Sequence, residues 1–207
     1  MKKFFVILVC KTIRLIGRLT GRGSSLPGQI ALKLDPDILS KIKMPPYIVA
    51  VTGSNGKTST VELIARILKD AGKSFAYNKE GSNQIEGVTT LILEHCTFSG
   101  KVKPEIILIE SDERFAKYTF RYFSPTHYII TNLYRDQLTR NGHPEWVAHA
   151  IEESIRPETQ LVLNADDPLV SKFGLGRDNT VYFGADRLPQ STDSCTSLYN
   201  DGKYCPN

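Results

Sequence analysis

Between residues 47 and 183 the chain alternates six short apolar, β-branched runs with five stretches of helical spacing, and few folds accept that pattern. The runs are 47–52, 74–77, 105–110, 127–131, 160–164 and 180–183; the helical stretches are 57–71, 84–95, 113–121, 144–155 and 167–173. In the first helical stretch Val61, Ile64, Leu68 and Ala71 recur at three- and four-residue steps, and Gly72 stops it. Strand, helix and strand in succession close into right-handed parallel units. The expectation is therefore an α/β fold with a mostly parallel sheet and helices on both faces. Ligands of such sheets bind beyond the carboxyl ends of the strands.

At the first of those ends stands Gly53-Ser54-Asn55-Gly56-Lys57-Thr58-Ser59, which opens the first long helix. Glycines allow a tight turn whose N–H groups converge on phosphate oxygens, and the helix N-terminus adds its positive dipole end. Lys57 offers a fixed cation for the outer phosphates, and the Thr58 hydroxyl suits Mg²⁺. A general phosphate loop has glycine six positions before the lysine, where this chain has Val51. A Gly-Asn turn that merely caps a helix is the competing reading, and the order of strand, loop, Lys-Thr and helix argues against it.

Three regions divide the chain. Residues 1–44 read as a basic amphipathic helix and loop, 45–184 as the nucleotide-binding domain, and 185–207 as a polar, turn-rich segment of different character. The first 22 residues hold Lys2, Lys3, Lys11, Arg14, Arg18 and Arg22 and no acidic residue. On a helix Lys11, Arg14, Arg18 and Arg22 share one face and Phe5, Val9, Ile13 and Ile16 another. Its unbroken apolar run, residues 4–10, is far short of the roughly 20 residues a membrane span needs. Two placements stay open: an interfacial helix drawn to anionic lipid headgroups, or a helix packed on the core with its basic face in water. The net charge of +4 is mild, and no nucleic-acid partner is expected. Four cysteines without a secretory signal suggest no disulfide framework and a cytoplasmic protein. His95, His127, His143 and His149 show no ligand spacing, and Cys10 and Cys96 read as ordinary apolar positions.

The shorter loop Thr52-Gly-Ser-Asn-Gly-Lys-Thr58 resembles the ATP-binding signature of the Mur ligase superfamily, whose members join carboxylates to amines. Further segments follow in the family's order: Glu110 at the end of the third run, Thr131-Asn132-Leu133 with Asp136, and Leu163-Asn164-Ala165-Asp166-Asp167-Pro168. Four details are similar to a subfamily of glutamine-dependent synthetase subunits. They are Arg22-Gly23-Ser24-Ser25-Leu26-Pro27-Gly28 in place of a UDP-sugar domain, Asn78-Lys79-Glu80-Gly81-Ser82-Asn83, Gln137 where most Mur ligases carry a metal-binding histidine, and Lys203-Tyr204-Cys205-Pro206-Asn207, which looks like the start of a Cys-Pro-x-Cys zinc knuckle.

The resemblance implies an ATP-dependent carbon–nitrogen ligase. It would convert the α-carboxylate of D-glutamate in the lipid II stem peptide to an acyl phosphate, for amidation by ammonia from a GatD-like glutamine amidotransferase subunit. Implied catalytic residues are Lys57, Glu110 and Asn132. The nucleotide would be held by Gly53, Ser54, Asn55, Gly56, Lys57, Thr58, Ser59, Asn164 and Asp167, and Mg²⁺ by Thr58 and Glu110. Cys205 would be one Zn²⁺ ligand of an incomplete site, since Cys195, ten residues earlier, lacks knuckle spacing. Asp112 or Glu113 would support the metal or simply face a helix N-terminus, and Ser82 and Asn83 would face substrate or cap a helix. Residues 185–207 are then the opening of a zinc-ribbon insertion, inside which the sequence stops, and the fragment alone is expected to be inactive. A lipid-linked substrate would place the protein at the inner face of the cell membrane, with residues 1–22 touching it. The alternatives are a Mur or folylpolyglutamate-type ligase that adds an amino acid, or a nucleotide-binding fragment without turnover.

Overall fold

A computed structural model of the chain describes residues 1–19, 25–78, 82–133, 144–187 and 189. Its centre is a six-stranded sheet made of β1 (Tyr47–Thr52), β2 (Phe75–Tyr77), β3 (Ile106–Glu110), β4 (His127–Ile130), β5 (Gln160–Asn164) and β6 (Thr180–Phe183). The strand order is β2-β3-β1-β4-β5-β6, and every pairing is parallel. The expected α/β fold is the one observed.

Strand alternation divides the side chains between two layers. Ile48 and Ala50 of β1, Ile107 and Ile109 of β3, Tyr128 and Ile130 of β4, and Leu161 and Leu163 of β5 join the larger core. That face is covered by α4 (Ile85–His95), α5 (Ala116–Thr119) and α6 (Pro144–Glu152), which contribute Val88, Ile92, Ala116 and Ile151. Val51 and Leu108 face the other way, against Val61 and Ala65 of α3 (Lys57–Asp70). The connection after β1 leads to one side of the sheet and the connection after β4 to the other. A crevice thus opens between the carboxyl ends of these neighbouring strands.

Two helical pieces precede the sheet where the sequence suggests a loop: α2 (Leu26–Leu34), with Pro27 in its first turn, and a 3₁₀ turn (Ile38–Lys41). Proline is well suited to a first helical turn, where its missing N–H is not needed. The helix expected over 113–121 is only Ala116–Thr119, because Asp112 and Glu113 are drawn into side-chain pairs. After α7 (Pro168–Ser171) a 3₁₀ turn (Lys172–Gly174) finishes the last expected helix.

The first helix, α1 (Lys2–Leu19), corrects the sequence reading. Its inward face is Val6, Ile7 and Cys10, all fully buried, while Phe5 and Ile16 of the expected core face are exposed. The basic face also turns inward. Lys11 donates to the Glu94 carbonyl, Arg14 Nε meets the Glu94 carboxylate at 3.0 Å, and Arg18 pairs with the same group. A carboxylate on α4, 80 residues away, therefore decides the orientation of α1. Burial, with smaller contributions from Cys96 and Glu94, pushes the Cys10 thiol up to about 12, consistent with a packed and unreactive side chain.

Candidate nucleotide and metal site

The glycine-rich turn after β1 is built by close contact with the turn after β4. Gly53 has φ +133°, a conformation that side chains rarely adopt, and a Cβ placed there would lie 2.2 Å from Thr131 Oγ1. Thr131 Oγ1 donates to the Asn55 carbonyl at 2.8 Å, and Ser54 N donates to the Asn132 carbonyl at 2.8 Å. The Asn132 side chain completes the tie: its Oδ1 accepts from Asn55 N at 2.9 Å and its Nδ2 donates to Asn55 O at 3.1 Å. Gly56, at φ +80°, then caps α3 and aims that helix's N-terminus at the crevice. Ser59 is exposed in its first turn.

Lys57 curls back over the turn. Its Nζ donates to the Gly53 carbonyl, lies 3.3 Å from Ser54 O and pairs with Glu113 Oε2 at 3.0 Å. Both side chains of this pair are largely withdrawn from water, 14% and 7% exposed. At the next residue, Thr58 Oγ1 donates to Glu110 Oε2 at 2.9 Å. Glu110 ends β3 and is buried. Its backbone is gripped on both sides by Asn78, whose Oδ1 accepts from Glu110 N at 2.8 Å and whose Nδ2 donates to Glu110 O and Ser82 O, each at 3.0 Å.

A hydroxyl and a carboxylate side by side at a helix N-terminus form the oxygen-donor set that a hard divalent cation takes. Thr58 and Glu110 therefore fit Mg²⁺. Among the described residues no cluster of three or more His, Cys, Asp or Glu side chains is placed to hold a metal ion. Cys195 and Cys205 lie outside the described residues, as do Gln137 and Asp136.

The remaining expected site residues stand at the same end of the sheet with their polar atoms engaged. Asn164 Nδ2 donates to Thr131 O at 2.8 Å, and its Oδ1 accepts from Asp166 N at 2.9 Å. Asp167 accepts from Leu133 N at 2.6 Å and caps α7 through Leu169 N and Val170 N. Burial, partly offset by those three donors, holds its carboxyl above the ordinary range. Asn132, Asn164 and Asp167 thus shape the backbone around the crevice. Asp112 chelates Arg114 through both oxygens, at 3.1 and 2.8 Å. Burial raises the Asp112 carboxyl, but the hydrogen bonds from Arg114 outweigh it and hold the group below its usual value. Ser82 Oγ lies 2.6 Å from Ser25 Oγ, and Asn83 O accepts from Asp112 N at 2.9 Å. Ser25, Gln29, Ser82, Asn83, Gln84 and Glu86 line a polar cavity of about 380 Å³.

The sequence assigns no role to one residue here and leaves another open. Asn78, at the end of β2, is the brace of Glu110, and Glu113 is the partner of Lys57. The signals for the first are an asparagine directly after a short strand and its place at the head of the segment 78–83. Nothing in the sequence distinguishes Glu113 from Asp112.

Comparison with known proteins gives the family of the chain. The family described as "Mur ligase middle domain" matches residues 51–193. The chain is 36% identical over its whole length to a subunit from Staphylococcus aureus (strain COL) named lipid II isoglutaminyl synthase (glutamine-hydrolyzing) subunit MurT, of which it covers 47%. The protein of the same name from Streptococcus pneumoniae (strain ATCC BAA-255 / R6) is 36% identical over 90% of this chain and 41% of its own length. The chain spans about half the length of these relatives or less. Among solved structures, a pseudomurein peptide ligase type C from Methanothermus fervidus superposes with a TM-score of 0.56 at 30% identity, covering 73% of this chain and 30% of that one. With that match over residues 51–193 and a six-stranded parallel sheet, the chain belongs to the Mur ligase family through that family's middle domain.

Proposed function

We propose that this chain is the ATP-binding part of a glutamine-dependent ligase that amidates the stem peptide of lipid II. The observation that carries the reading is the arrangement of Lys57, Thr58 and Glu110 around the α3 N-terminus, in a chain similar over its whole length to MurT subunits. The supporting chemistry is electrostatic. Phosphoryl transfer needs the outer phosphates positioned and their charge neutralised, and little covalent help. The turn N–H groups and the helix dipole would receive the phosphates, and Lys57 would turn from Glu113 to them. Mg²⁺ held by Thr58 and Glu110 would supply charge compensation at the transferred group.

The substrate carboxylate would attack the γ-phosphorus of ATP, releasing ADP and leaving an acyl phosphate. Ammonia from a GatD-like glutaminase would then displace phosphate and leave the carboxamide. Zn²⁺ bound through Cys205 belongs to the same proposal, for the whole protein. The division into residues 1–44, 45–184 and 185–207 stands as its proposed domain plan, with the protein working at the inner face of the cell membrane.

The test is amidation of lipid II by the whole protein with its glutaminase, dependent on both glutamine and ATP. Lys57→Ala is expected to abolish it. ADP formation that requires a free amino acid instead of ammonia would move the reading to an amino-acid-adding ligase. Nucleotide binding with no turnover by the whole complex would leave only a binding protein.

A further inference from the structure

Turning the basic face of α1 inward leaves the opposite face uncovered. Met1, Phe4, Phe5, Leu8, Leu15, Ile16 and Leu19 are all exposed, from 40% at Leu8 to 112% at Met1. Their spacing, with Thr12 between, follows the three- and four-residue steps of one helical stripe along all of α1. Phe4 extends the patch onto the body of the protein by packing against Phe98, itself exposed, with ring centroids 5.2 Å apart and the rings tilted by 40°. A stripe of this kind on the outside of a soluble fold marks a contact surface. We propose that it is the face by which the protein lies on an anionic lipid surface, with α1 parallel to the bilayer plane.

Charge decides among the occupants. The first 34 residues carry seven basic side chains and no acidic one, and although Lys11, Arg14 and Arg18 turn to Glu94, that single carboxylate faces three cations. Two copies meeting stripe to stripe would bring these cationic segments together, which opposes pairing. An anionic surface attracts them. Lys2 is exposed at one end of the stripe and Arg18, with a side chain 59% exposed while it pairs with Glu94, lies near the other. Their long side chains can reach headgroups while the apolar residues sink into the acyl boundary. Helix α1 is held in place from behind by Val6, Ile7, Cys10 and the Glu94 pairs, so the stripe is presented preformed. No helix among the described residues is long and apolar enough to cross a membrane, so the contact lies flat on the surface. This inference does not depend on the catalytic reading.

The test is sedimentation of the full chain with phosphatidylglycerol-containing vesicles and with pure phosphatidylcholine vesicles. The double variant Leu8→Gln/Leu15→Gln changes only exposed positions, and circular dichroism and thermal melting check that its fold is intact. The wild type is expected to bind the anionic vesicles, and the variant to bind them at least about tenfold more weakly, the scale expected for two partly buried leucines. Equal binding by the folded variant, or no vesicle binding by the wild type, would overturn the proposal. So would a wild-type dimer in solution that the variant dissolves, since the stripe would then serve a second copy.

Discussion

Asn132 holds Asn55 by both ends of its amide, Oδ1 accepting from the Asn55 N–H at 2.9 Å and Nδ2 donating to the Asn55 carbonyl at 3.1 Å. The two bonds fix the peptide groups on either side of the Asn55 Cα. The turn's shape is therefore set from β4 as much as from its own glycines.

Asn132→Ala removes both bonds, leaving the Asn55 N–H without that acceptor and the Asn55 carbonyl to Thr131 Oγ1 alone. Nucleotide affinity is expected to fall by about tenfold or more, with global stability lowered by only about 1 kcal/mol, since Asn55 is exposed and water replaces part of what is lost. Asn132→Asp keeps the acceptor and loses the donor, and should fall between the two. Titration calorimetry with ADP and urea unfolding on the same samples separate the two effects. An unchanged affinity in the alanine variant would show that the turn holds its shape alone.

The two glycines of the turn should respond very differently to alanine. At Gly53 a Cβ would sit 2.2 Å from Thr131 Oγ1 and 2.9 Å from the Asn132 carbonyl, and backbone cannot step aside cheaply. At Gly56 a Cβ meets nothing within 4 Å, and the cost is only that of a positive φ. Gly53→Ala is expected to cost about 3 kcal/mol or to abolish nucleotide binding outright, and Gly56→Ala about 1 kcal/mol. Denaturant midpoints of the two variants, compared at equal slope, check the order.

Asn78 satisfies both backbone groups of a buried glutamate, and a leucine there would fill the space while satisfying neither. Asn78→Leu is expected to destabilise the protein by about 2–4 kcal/mol, leaving the Glu110 N–H and carbonyl without those partners. Thermal melts and amide exchange at Glu110 would register the change. Exchange as slow as in the wild type would show that another group had taken over.

The Asp112 carboxyl is held below its ordinary value of 3.8, burial opposing and the Arg114 hydrogen bonds prevailing. A depressed folded value means that the group's stabilising contribution is complete above the unfolded value. It is lost as pH falls through the folded one. Wild type should therefore lose stability below about pH 4 more steeply than Asp112→Asn, and the gap between them should narrow as acid is added. Unfolding free energies measured from pH 6 down to pH 2.5 give the comparison directly. A gap that stays constant across that window would show that the Arg114 pair contributes nothing through ionisation.

Much of the fold is legible in the residues because local chemistry determines it. The run Tyr47–Thr52 is a strand with the bounds expected from its β-branched pattern, as are Gln160–Asn164 and Thr180–Phe183. Gly53, Gly56, Lys57 and Thr58 mark a tight turn opening a helix because no other placement of those residue types uses them so fully. Glu110 falls beside Thr58 because the turn that opens α3 and the end of β3 both lie at the carboxyl end of a parallel sheet.

What only the tertiary structure decided are the partnerships between segments far apart in the chain. The periodicity of α1 reveals two faces but not which one turns inward; that depends on Glu94, whose carboxylate draws Arg14 and Arg18 onto α4 and leaves Phe5 and Ile16 outside. Glu113 and Asp112 are indistinguishable as neighbours until one meets Lys57 and the other Arg114. The resemblance implies ligand roles for Asn132 and Asp167, and only the fold shows that their polar atoms also meet Asn55 and the Leu133, Leu169 and Val170 amides. Hydrophobic spacing and turn chemistry act over a few residues, and so the sequence carries them. The choice of partner for a charge or an amide is made across the assembled sheet, where buried polar groups must find donors and acceptors in whatever segments packing has brought near.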